Sequence, residues 1–367
     1  MSTFIEFHAI QNVAPSCLNR DDTGAPKDAI FGGVRRARVS SQCLKRAARL
    51  AFTSQGLLDK EELGIRTRNL VGLISEQLTE RGHAEPQPLV EAALAAVELA
   101  VKARKDKTPQ TEYLLFLGNA GVQQLINVID ANPDELIGGK IGKELKQQIS
   151  DCISSKAAVD VALFGRMLAD RKDLSVDAAS QVAHAISTHR VDRESDFFTA
   201  VDDWTKDDEA DAGMLGNVEF NSSCLYRYAA VNYNQLVANL GGDQQLALRG
   251  LAAFLRASAM AIPSGKQNTF AAHNLPATIL IGVQNSQPIS LANAVEKPVW
   301  VGEHPNGLSA ASVIRLQQHA TTLAKAYGLD LGLRVMDTTG AWDGPTVTSL
   351  DELISQSIAA VVALETI

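Results

Sequence analysis

The 367-residue chain has few cysteines and no long apolar run, and each shortage argues against a class of protein. Its four cysteines form no Cys-x-x-Cys pair, which argues against a zinc ribbon or a disulfide framework and predicts reduced thiols. No apolar stretch approaches the roughly 18 residues of a membrane-spanning helix, so we expect no membrane partner. The first ten residues, MSTFIEFHAI, lack the basic start and apolar run of a signal peptide. The expected location is the cytoplasm.

Motifs for catalysis are also missing. The chain has no Gly-x-Ser-x-Gly, P-loop or His-Glu-x-x-His sequence. Asp21 and Asp22 are adjacent, and neighbours in an extended chain point to opposite faces, so a turn role is expected rather than a shared metal ion. His184 and His189 would lie on opposite faces of a strand, and each is expected to be a core or interface histidine. We therefore expect no enzyme, no metal site and no cofactor.

Acidic residues are missing from one segment of an otherwise acidic protein. The formal net charge is −8, yet residues 35–49 contain no acidic residue. Like charges repel, so folding alone gives little reason for a basic cluster, whereas an anionic polymer gains affinity from one through counterion release. The alternative is a solvated basic face. We call residues 35–49 the basic strip, and its cationic members are Arg35, Arg36, Arg38, Lys45, Arg46 and Arg49.

The pattern of the strip predicts a strand followed by a capped helix. Val34–Val39 is predicted to be extended, with Arg36 and Arg38 on one side. Ser40 and the serine after it can cap a helix that runs to about Phe52.

One face of that helix is polar and basic. Gln42, Lys45 and Arg49 recur at helical spacing, and the start of a helix presents free backbone N–H groups to anions. The strand, the hydroxyl-rich turn and the basic helix together predict a phosphate-binding cradle.

Several short segments carry a family resemblance. Near the N-terminus they are PSCLNRDD (15–22), KDAIFGG (27–33), RVSSQ (38–42) and KRA (45–47); farther along they are FGRM (164–167), AHAISTH (183–189), TAVDD (199–203), YRYA (226–229) and PSGKQ (263–267). Together they closely resemble the repeated backbone subunit (CasC type) of Cascade, the type I-E CRISPR surveillance complex. The resemblance spans roughly residues 1 to 300, with no clear motif between about 54 and 158.

The order of the predicted elements indicates an α+β fold. Without insertions it reads strand, helix, strand, strand, helix, strand, the ferredoxin-like plan that RNA-recognition modules share. In this interpretation Val159–Met167 and Gln181–Val191 are strands. The resemblance implies the same plan, shaped like a right hand. It has an RRM-like palm over 1–54, 159–192 and 225–367, a helical fingers insertion over 55–158, and a β-hairpin thumb over 193–224.

The predicted RNA contacts are cations supported by a few polar or apolar groups. In and near the basic strip they are Arg20, Lys27, Arg38, Ser40, Gln42, Lys45, Arg46 and Arg49. The resemblance supports Lys27, Ser40, Gln42, Lys45 and Arg49 as guide-RNA contacts. Outside this region we predict contacts from Arg166, Met167, Lys266 and Gln267. Without the resemblance, a buried core role for Met167 is about as well supported.

The thumb is charged but carries a few apolar groups. The resemblance implies that it reaches across the guide RNA to the next copy, where apolar residues could wedge between bases. The predicted wedge residues are Phe197, Phe198, Met214 and Leu215, and packing against the parent domain is the alternative for these and for Phe220. An acidic tract at 206–209 is predicted to dock on the basic palm of a neighbour.

The resemblance implies a non-catalytic structural subunit that oligomerises head-to-tail along CRISPR RNA in a prokaryotic cytoplasm. Its expected partners are the guide RNA, the target DNA strand paired to that guide, and further copies of the chain. The other Cascade subunits are the two RNA-end caps, the small subunits and the large PAM-reading subunit, and a nuclease-helicase is recruited indirectly. Two alternatives stay open: a metal-dependent ribonuclease of the type III backbone kind, and a stand-alone RNA-binding regulator.

Overall fold

The computed structural model of the chain describes residues 2–104, 107–168, 171–200 and 214–366. These residues form two compact units. The sheet unit comprises residues 1–52, 181–231 and 252–367, and the helical unit comprises residues 53–180 and 232–251.

Antiparallel strands dominate the sheet unit. Its strands and helices are β1 Phe4–Ser16, β2 Asp28–Phe31, β3 Val34–Val39, α1 Ser41–Ser54, β9 Ala185–Ser187, β10 Glu194–Ala200, β11 Met214–Asn232, α10 Gln267–Phe270, β12 Thr278–Gln284, α11 Gly307–Tyr327, β13 Leu333–Asp337 and α12 Leu350–Glu365. Helix α9, Gln244–Met260, contributes its second half to this unit and its first half to the helical unit.

The main sheet has the strand order β13-β12-β1-β11-β9-β3-β2, and β10 pairs with β11. Strand β12 is buried along its whole length, as expected for its continuous apolar sequence. It pairs antiparallel with β1, from Phe4 opposite Gln284 to Ile10 opposite Thr278. Strand β1 is central in this sheet, because it lies between β12 and β11.

Helices α1 and α11 cover parts of this sheet with apolar residues. Val313 and Leu316 of α11 pack with Ile10 and Leu280 of the two central strands. Leu44 of α1 packs in another cluster with residues of β3, β9 and β11. The second cluster fixes the start of α1 beside the end of β3, which is where the basic strip turns from strand to helix.

The helical unit is built on apolar helix faces at 3.6-residue spacing. Its elements are β4 Gly64–Thr67, α2 Leu70–Glu80, α3 Pro86–Ala96, β5 Val101–Arg104, β6 Lys107–Thr111, β7 Leu115–Gly118, α4 Asn119–Ala131, α5 Pro133–Ile137, α6 Lys143–Ile153, α7 Val159–Phe164 and α8 Tyr233–Asn239. Strand β8, Ser180–Val182, belongs to the sheet unit except for its first residue and pairs with β11. Its core joins α2, α3, α4 and α6. Among the helices in the described ranges, none is both long and apolar enough to cross a membrane.

The α+β class is confirmed, whereas two of the predicted strands are wrong in detail. The run Val159–Met167 was expected to be a strand, but it forms α7 up to Phe164. A short apolar run does not distinguish a buried strand from a buried helix, and here tertiary packing selected the helix. The predicted strand Gln181–Val191 is two short strands, β8 and β9, separated at residues 183 and 184.

The compact units divide the chain differently from the predicted domains. Residues 159–180, expected in the palm, belong to the helical unit, as do residues 232–251. In the predicted thumb, β10 and β11 pair antiparallel from Glu194 opposite Phe220 to Ala200 opposite Met214. The acidic tract at 206–209 lies outside the described residues.

Candidate nucleic-acid interface

The basic strip begins on β3, where consecutive arginines have different surroundings. Arg35 is exposed and forms an ion pair with Asp28 on the neighbouring strand β2. Arg36 is fully buried, and its guanidinium donates to the carbonyl oxygens of Phe31, Ser187, Val295 and Glu296 at 2.8–3.1 Å. Burial lowers the pKa of Arg36. Arg35 and Arg36 therefore already have partners within the protein.

Arg38 is the strip residue of β3 that stays available to a ligand. Its backbone N–H donates to the carbonyl of Lys27 at 2.9 Å, which continues the β2–β3 register and places Lys27 directly opposite Arg38. Like charges directly opposite each other on neighbouring strands repel. In the described part of the chain neither side chain forms an ion pair with a carboxylate, so this pair favours an anionic partner.

His184 lies beside this pair, at the start of α1. Its Nδ1 accepts from the backbone N–H of Ser41 at 3.3 Å and lies 3.4 Å from Nη1 of Arg38. Partial burial, followed by the positive charges of Arg38 and Lys27, lowers the pKa of His184. The sequence predicted a core or interface histidine here; its exposure excludes the core role, and the interface role stays a prediction. The sequence contains no signal for this position, because only the pairing of β9 with β3 brings it to Arg38.

The serine before α1 has a structural role. The hydroxyl of Ser40 accepts from the N–H of Cys43 at 3.3 Å, and its own N–H donates to Oδ1 of Asn19 at 2.9 Å. The predicted helix cap is confirmed. Ser40 is buried and caps the helix, and the phosphate contact predicted for it stays a prediction. Gln42, by contrast, is exposed on the first turn of α1.

The cations of α1 differ in exposure. Arg46 is exposed, and Lys45 and Arg49 are partly buried. Lys45 lines a small cavity of about 20 Å³ with Tyr228 and Phe254, and burial lowers its pKa. Burial likewise raises the pKa of the Cys43 thiol, while the charges of Lys27 and Arg46 act in the opposite direction. Lys27 and Arg46 thus both influence this one thiol at the start of α1.

We call Lys27, Arg38, Arg46 and His184, around the start of α1, the cationic cradle. Two further predicted cations border it. Burial raises the pKa of the Cys17 thiol, and the nearby charges of Arg20 and Lys266 oppose this. Lys266 follows Gly265, which packs so closely on the chain at Leu18 that a Cβ would lie 2.3 Å from the carbonyl oxygen of that residue. Only glycine fits there, and this approach brings Lys266 towards Arg20.

Gln267 serves its own loop instead of an external ligand. Its amide nitrogen donates to the carbonyls of Pro263 at 3.0 Å and Ala272 at 3.3 Å. Its buried Oε1 finds no partner within the described residues. The amide N–H of Gln267 thus stabilises its own loop, and the RNA contact predicted for this residue stays a prediction.

Arg166 and Met167, in the helical unit, have opposite environments although they are neighbours. Arg166 is 7% exposed, and its guanidinium donates to the carbonyls of Leu174, Ile153 and Phe116 at 2.7, 3.0 and 3.3 Å. Nε and Nη1 of Arg166 are thus engaged within the protein, and the RNA contact predicted for this residue stays a prediction. Met167 is 88% exposed, which removes the alternative of a core methionine.

In the described strands of the predicted thumb, Phe197 and Phe198 are both exposed, whereas Phe220 is packed. Phe197 is 67% exposed. Phe198 covers Gly216 on the opposite strand, where a Cβ would lie 2.2 Å from the ring. Phe220 packs against Phe270 with ring centroids 5.6 Å apart, so the alternative of packing against the parent unit holds for that residue. Met214 and Leu215 begin β11, and their side chains lie outside the description.

Carboxylates near the cradle shape turns. Oδ1 of Asp21 accepts from the N–H and hydroxyl of Thr23 and from the N–H of Ala25, at 2.7–3.0 Å. These bonds, led by the Thr23 hydroxyl, lower the pKa of Asp21. The turn role expected for this residue is confirmed. Within the described ranges, no group of three or more His, Cys, Asp or Glu residues is arranged to hold a metal ion.

Comparison with known proteins identifies relatives over almost the full length. Residues 5–361 match the family model described as CT1975-like protein. One solved chain, from a "CRISPR RNA-guided surveillance complex, pre-nicking", is 33% identical with a TM-score of 0.86, covering 97% of this chain and 99% of that one. Another, from a "CRISPR RNA-guided surveillance complex", is 29% identical with a TM-score of 0.73 and the same coverage. No curated protein matches the chain.

Proposed function

Because this chain belongs to the CT1975-like protein family, we propose that it is a guide-RNA-binding subunit of a CRISPR RNA-guided surveillance complex. Its similarity to chains of two such complexes over 97% of its length supports the proposal. More specifically, we propose that the complex is a type I-E Cascade. The subunit is non-catalytic and cytoplasmic, and its copies assemble head-to-tail along the RNA. Heterologous contacts of that kind propagate into a filament instead of closing into a ring.

The observation that carries the proposal is the cross-strand pair of Lys27 and Arg38. Two like charges lie opposite each other, His184 lies beside Arg38 at the start of α1, and Arg46 follows on the same helix, which together form an environment suited to phosphate. None of these groups is arranged to read the edge of a base. Binding through the cradle is therefore expected to be largely independent of sequence, and pairing between guide and target strand supplies the specificity.

Each unit also carries an exposed apolar side chain that we propose contacts RNA. Met167 and Phe197 are largely exposed, and apolar groups of this kind can insert between bases and unstack them. We propose that the sheet unit acts as an RRM-like palm, the β10–β11 hairpin as a thumb, and the helices of the other unit as fingers. The end caps, small subunits and large PAM-reading subunit of the complex would be its protein partners.

The test compares two double variants that remove the same charge. Lys27→Ala with Arg46→Ala should weaken RNA binding by on the order of tenfold and reduce the salt slope of log K by about 1.4, because two phosphate contacts are lost from a single strand. Lys297→Ala with Lys325→Ala, both exposed elsewhere in the sheet unit, should have little effect. Affinities for two unrelated RNAs are measured across a salt series.

The proposal predicts equal losses for both RNAs. A loss confined to one RNA would contradict backbone recognition, and equal effects of the two double variants would remove the cradle as the binding site. Sequencing of RNA that co-purifies with the protein gives an independent check. Repeat-derived ends around varied spacers are expected, and a single defined RNA would favour a stand-alone regulator.

A further inference from the structure

A cluster of charged residues joins the β10–β11 hairpin to the loop that carries Lys27. At its centre is Arg193, the residue immediately before β10. Its Nη2 lies 2.9 Å from Oδ2 of Asp28 and 3.8 Å from Oδ2 of Asp21, and its Nη1 lies 3.2 Å from Oε2 of Glu219. One guanidinium thus connects the two strands at the base of the hairpin with Asp21, in the loop between β1 and β2, and with Asp28, the first residue of β2.

The partners of Arg193 are themselves held in place. Asp21 is fixed by the turn that it forms with Thr23 and Ala25, and Asp28 also forms an ion pair with Arg35 across the β2–β3 register. An isolated exposed ion pair contributes little to stability, but a network anchored at several rigid points restricts direction. The side chain of Arg193 is 30% exposed, so the network is partly shielded from water.

A second contact braces the other strand of the hairpin. Phe220 of β11 packs on Phe270, and the loop before Phe270 packs on the chain at Leu18 through Gly265. This contact is apolar and lies on a loop that also carries Lys266. The base of the hairpin is therefore attached to the surroundings of the cradle in two places, one electrostatic and one apolar.

We propose that Arg193 is a positioning residue that fixes the direction of the β10–β11 hairpin relative to the cationic cradle. The use of that direction, to bring Phe197 to the RNA at a fixed place, rests on the proposed function. Since the rings of Phe220 and Phe270 remain when Arg193 is removed, the hairpin should stay folded but vary in orientation.

Orientation is measured without RNA, by the distance between two spin labels. Labels are attached at Ser195→Cys on β10 and Asn12→Cys on β1, both exposed, in a Cys43→Ser background that removes the partly buried native thiol. The parent should give one narrow distance distribution, and Arg193→Ala a clearly broader one. Arg190→Ala is the matched control, because Arg190 pairs only with nearby Asp192 among the described residues and both are exposed.

A conservative substitution at Arg193 and a double variant distinguish a specific positioning role from general structural damage. Arg193→Lys keeps the charge but not the two-pronged geometry, so it should give an intermediate width. Glu219→Ala should broaden the distribution less, and adding it to Arg193→Ala should change nothing further. A distribution that stays narrow in Arg193→Ala, or a control that broadens equally, would overturn the proposal whatever the protein binds.

Assembly on RNA then tests the functional consequence. On an RNA long enough for one copy, Arg193→Ala should bind within about twofold of the parent, because the cradle is intact. On an RNA several times longer, ordered assembly should need roughly tenfold more protein. If the parent itself does not bind RNA, the proposed function fails while the spin-label result still decides the role of Arg193.

Discussion

Arginines of the basic strip and Arg166 of the helical unit differ in how far the protein itself satisfies their hydrogen-bond donors. In the strip, Arg46 is exposed and Arg38 faces Lys27 across two strands. In the helical unit, Arg166 is enclosed by three carbonyl oxygens and its neighbour Met167 is the exposed group. A guanidinium needs hydrogen-bond acceptors. The number of carbonyl oxygens around it in the folded chain determines whether the protein itself or a ligand provides those acceptors.

The same contrast occurs within the strip. Arg36 and Arg38 are two residues apart on one strand, but Arg36 is fully buried among four carbonyl oxygens. Arg38 donates from Nε to the carbonyl of Asp28 and keeps the rest of its guanidinium near His184. Substitutions can therefore separate stability from binding, and the expected effects fall from the buried arginine to the exposed histidine.

The largest effect is expected for Arg166→Ala. It leaves three carbonyl oxygens in the helical unit without their donor, which should lower the free energy of unfolding by on the order of 3 kcal/mol. Chemical denaturation measures this loss. Met167→Ala next to it is the control, with a change within about 0.5 kcal/mol because that side chain is exposed. Similar losses for the two variants would refute the buried role of Arg166.

A smaller effect, on binding alone, is expected for Arg38→Ala. Removing one cation from the cradle should weaken binding by roughly fivefold to tenfold for any RNA sequence and lower the salt slope of log K by about 0.7. Fluorescence anisotropy across a salt series measures both quantities. Arg36→Ala is the comparison, since it should lower stability first. If Arg38→Ala lowers the free energy of unfolding more than the free energy of RNA binding, Arg38 has a structural role like that of Arg36.

The smallest effect is a pH dependence from His184. Burial and the charges of Arg38 and Lys27 hold its pKa below the ordinary 6.5 in the free protein. A phosphate in the cradle would offset those charges and raise the pKa, so RNA binding should take up a fraction of a proton. Affinity at constant salt should therefore rise about twofold as the pH falls from 8 to 6.

His184→Gln is the matched control for that measurement, because its amide oxygen can still accept from the N–H of Ser41. Its affinity should be flat over the same pH range. An equally steep dependence in this variant would assign the titration to another group.

Local sequence signals were sufficient for much of the fold around the site. The strand at Val34–Val39, the cap at Ser40 and the helix that follows it occur as predicted, because each depends on residues close together in the chain. The helices α9, α11 and α12 also follow from their periodicity. The short run at Val159–Met167 was assigned wrongly, since its period was too brief to separate a helix from a strand.

What the sequence determined by itself is the presence of an excess of cations beside a capped helix, because composition and helix signals are local properties. Tertiary structure alone decided which of those cations remain available. Strand pairing placed Lys27 opposite Arg38 and brought His184 to Arg38, while segments distant in sequence supplied the carbonyls that enclose Arg36 and Arg166. A guanidinium donates to whichever acceptors surround it, and only the folded chain determines which acceptors those are.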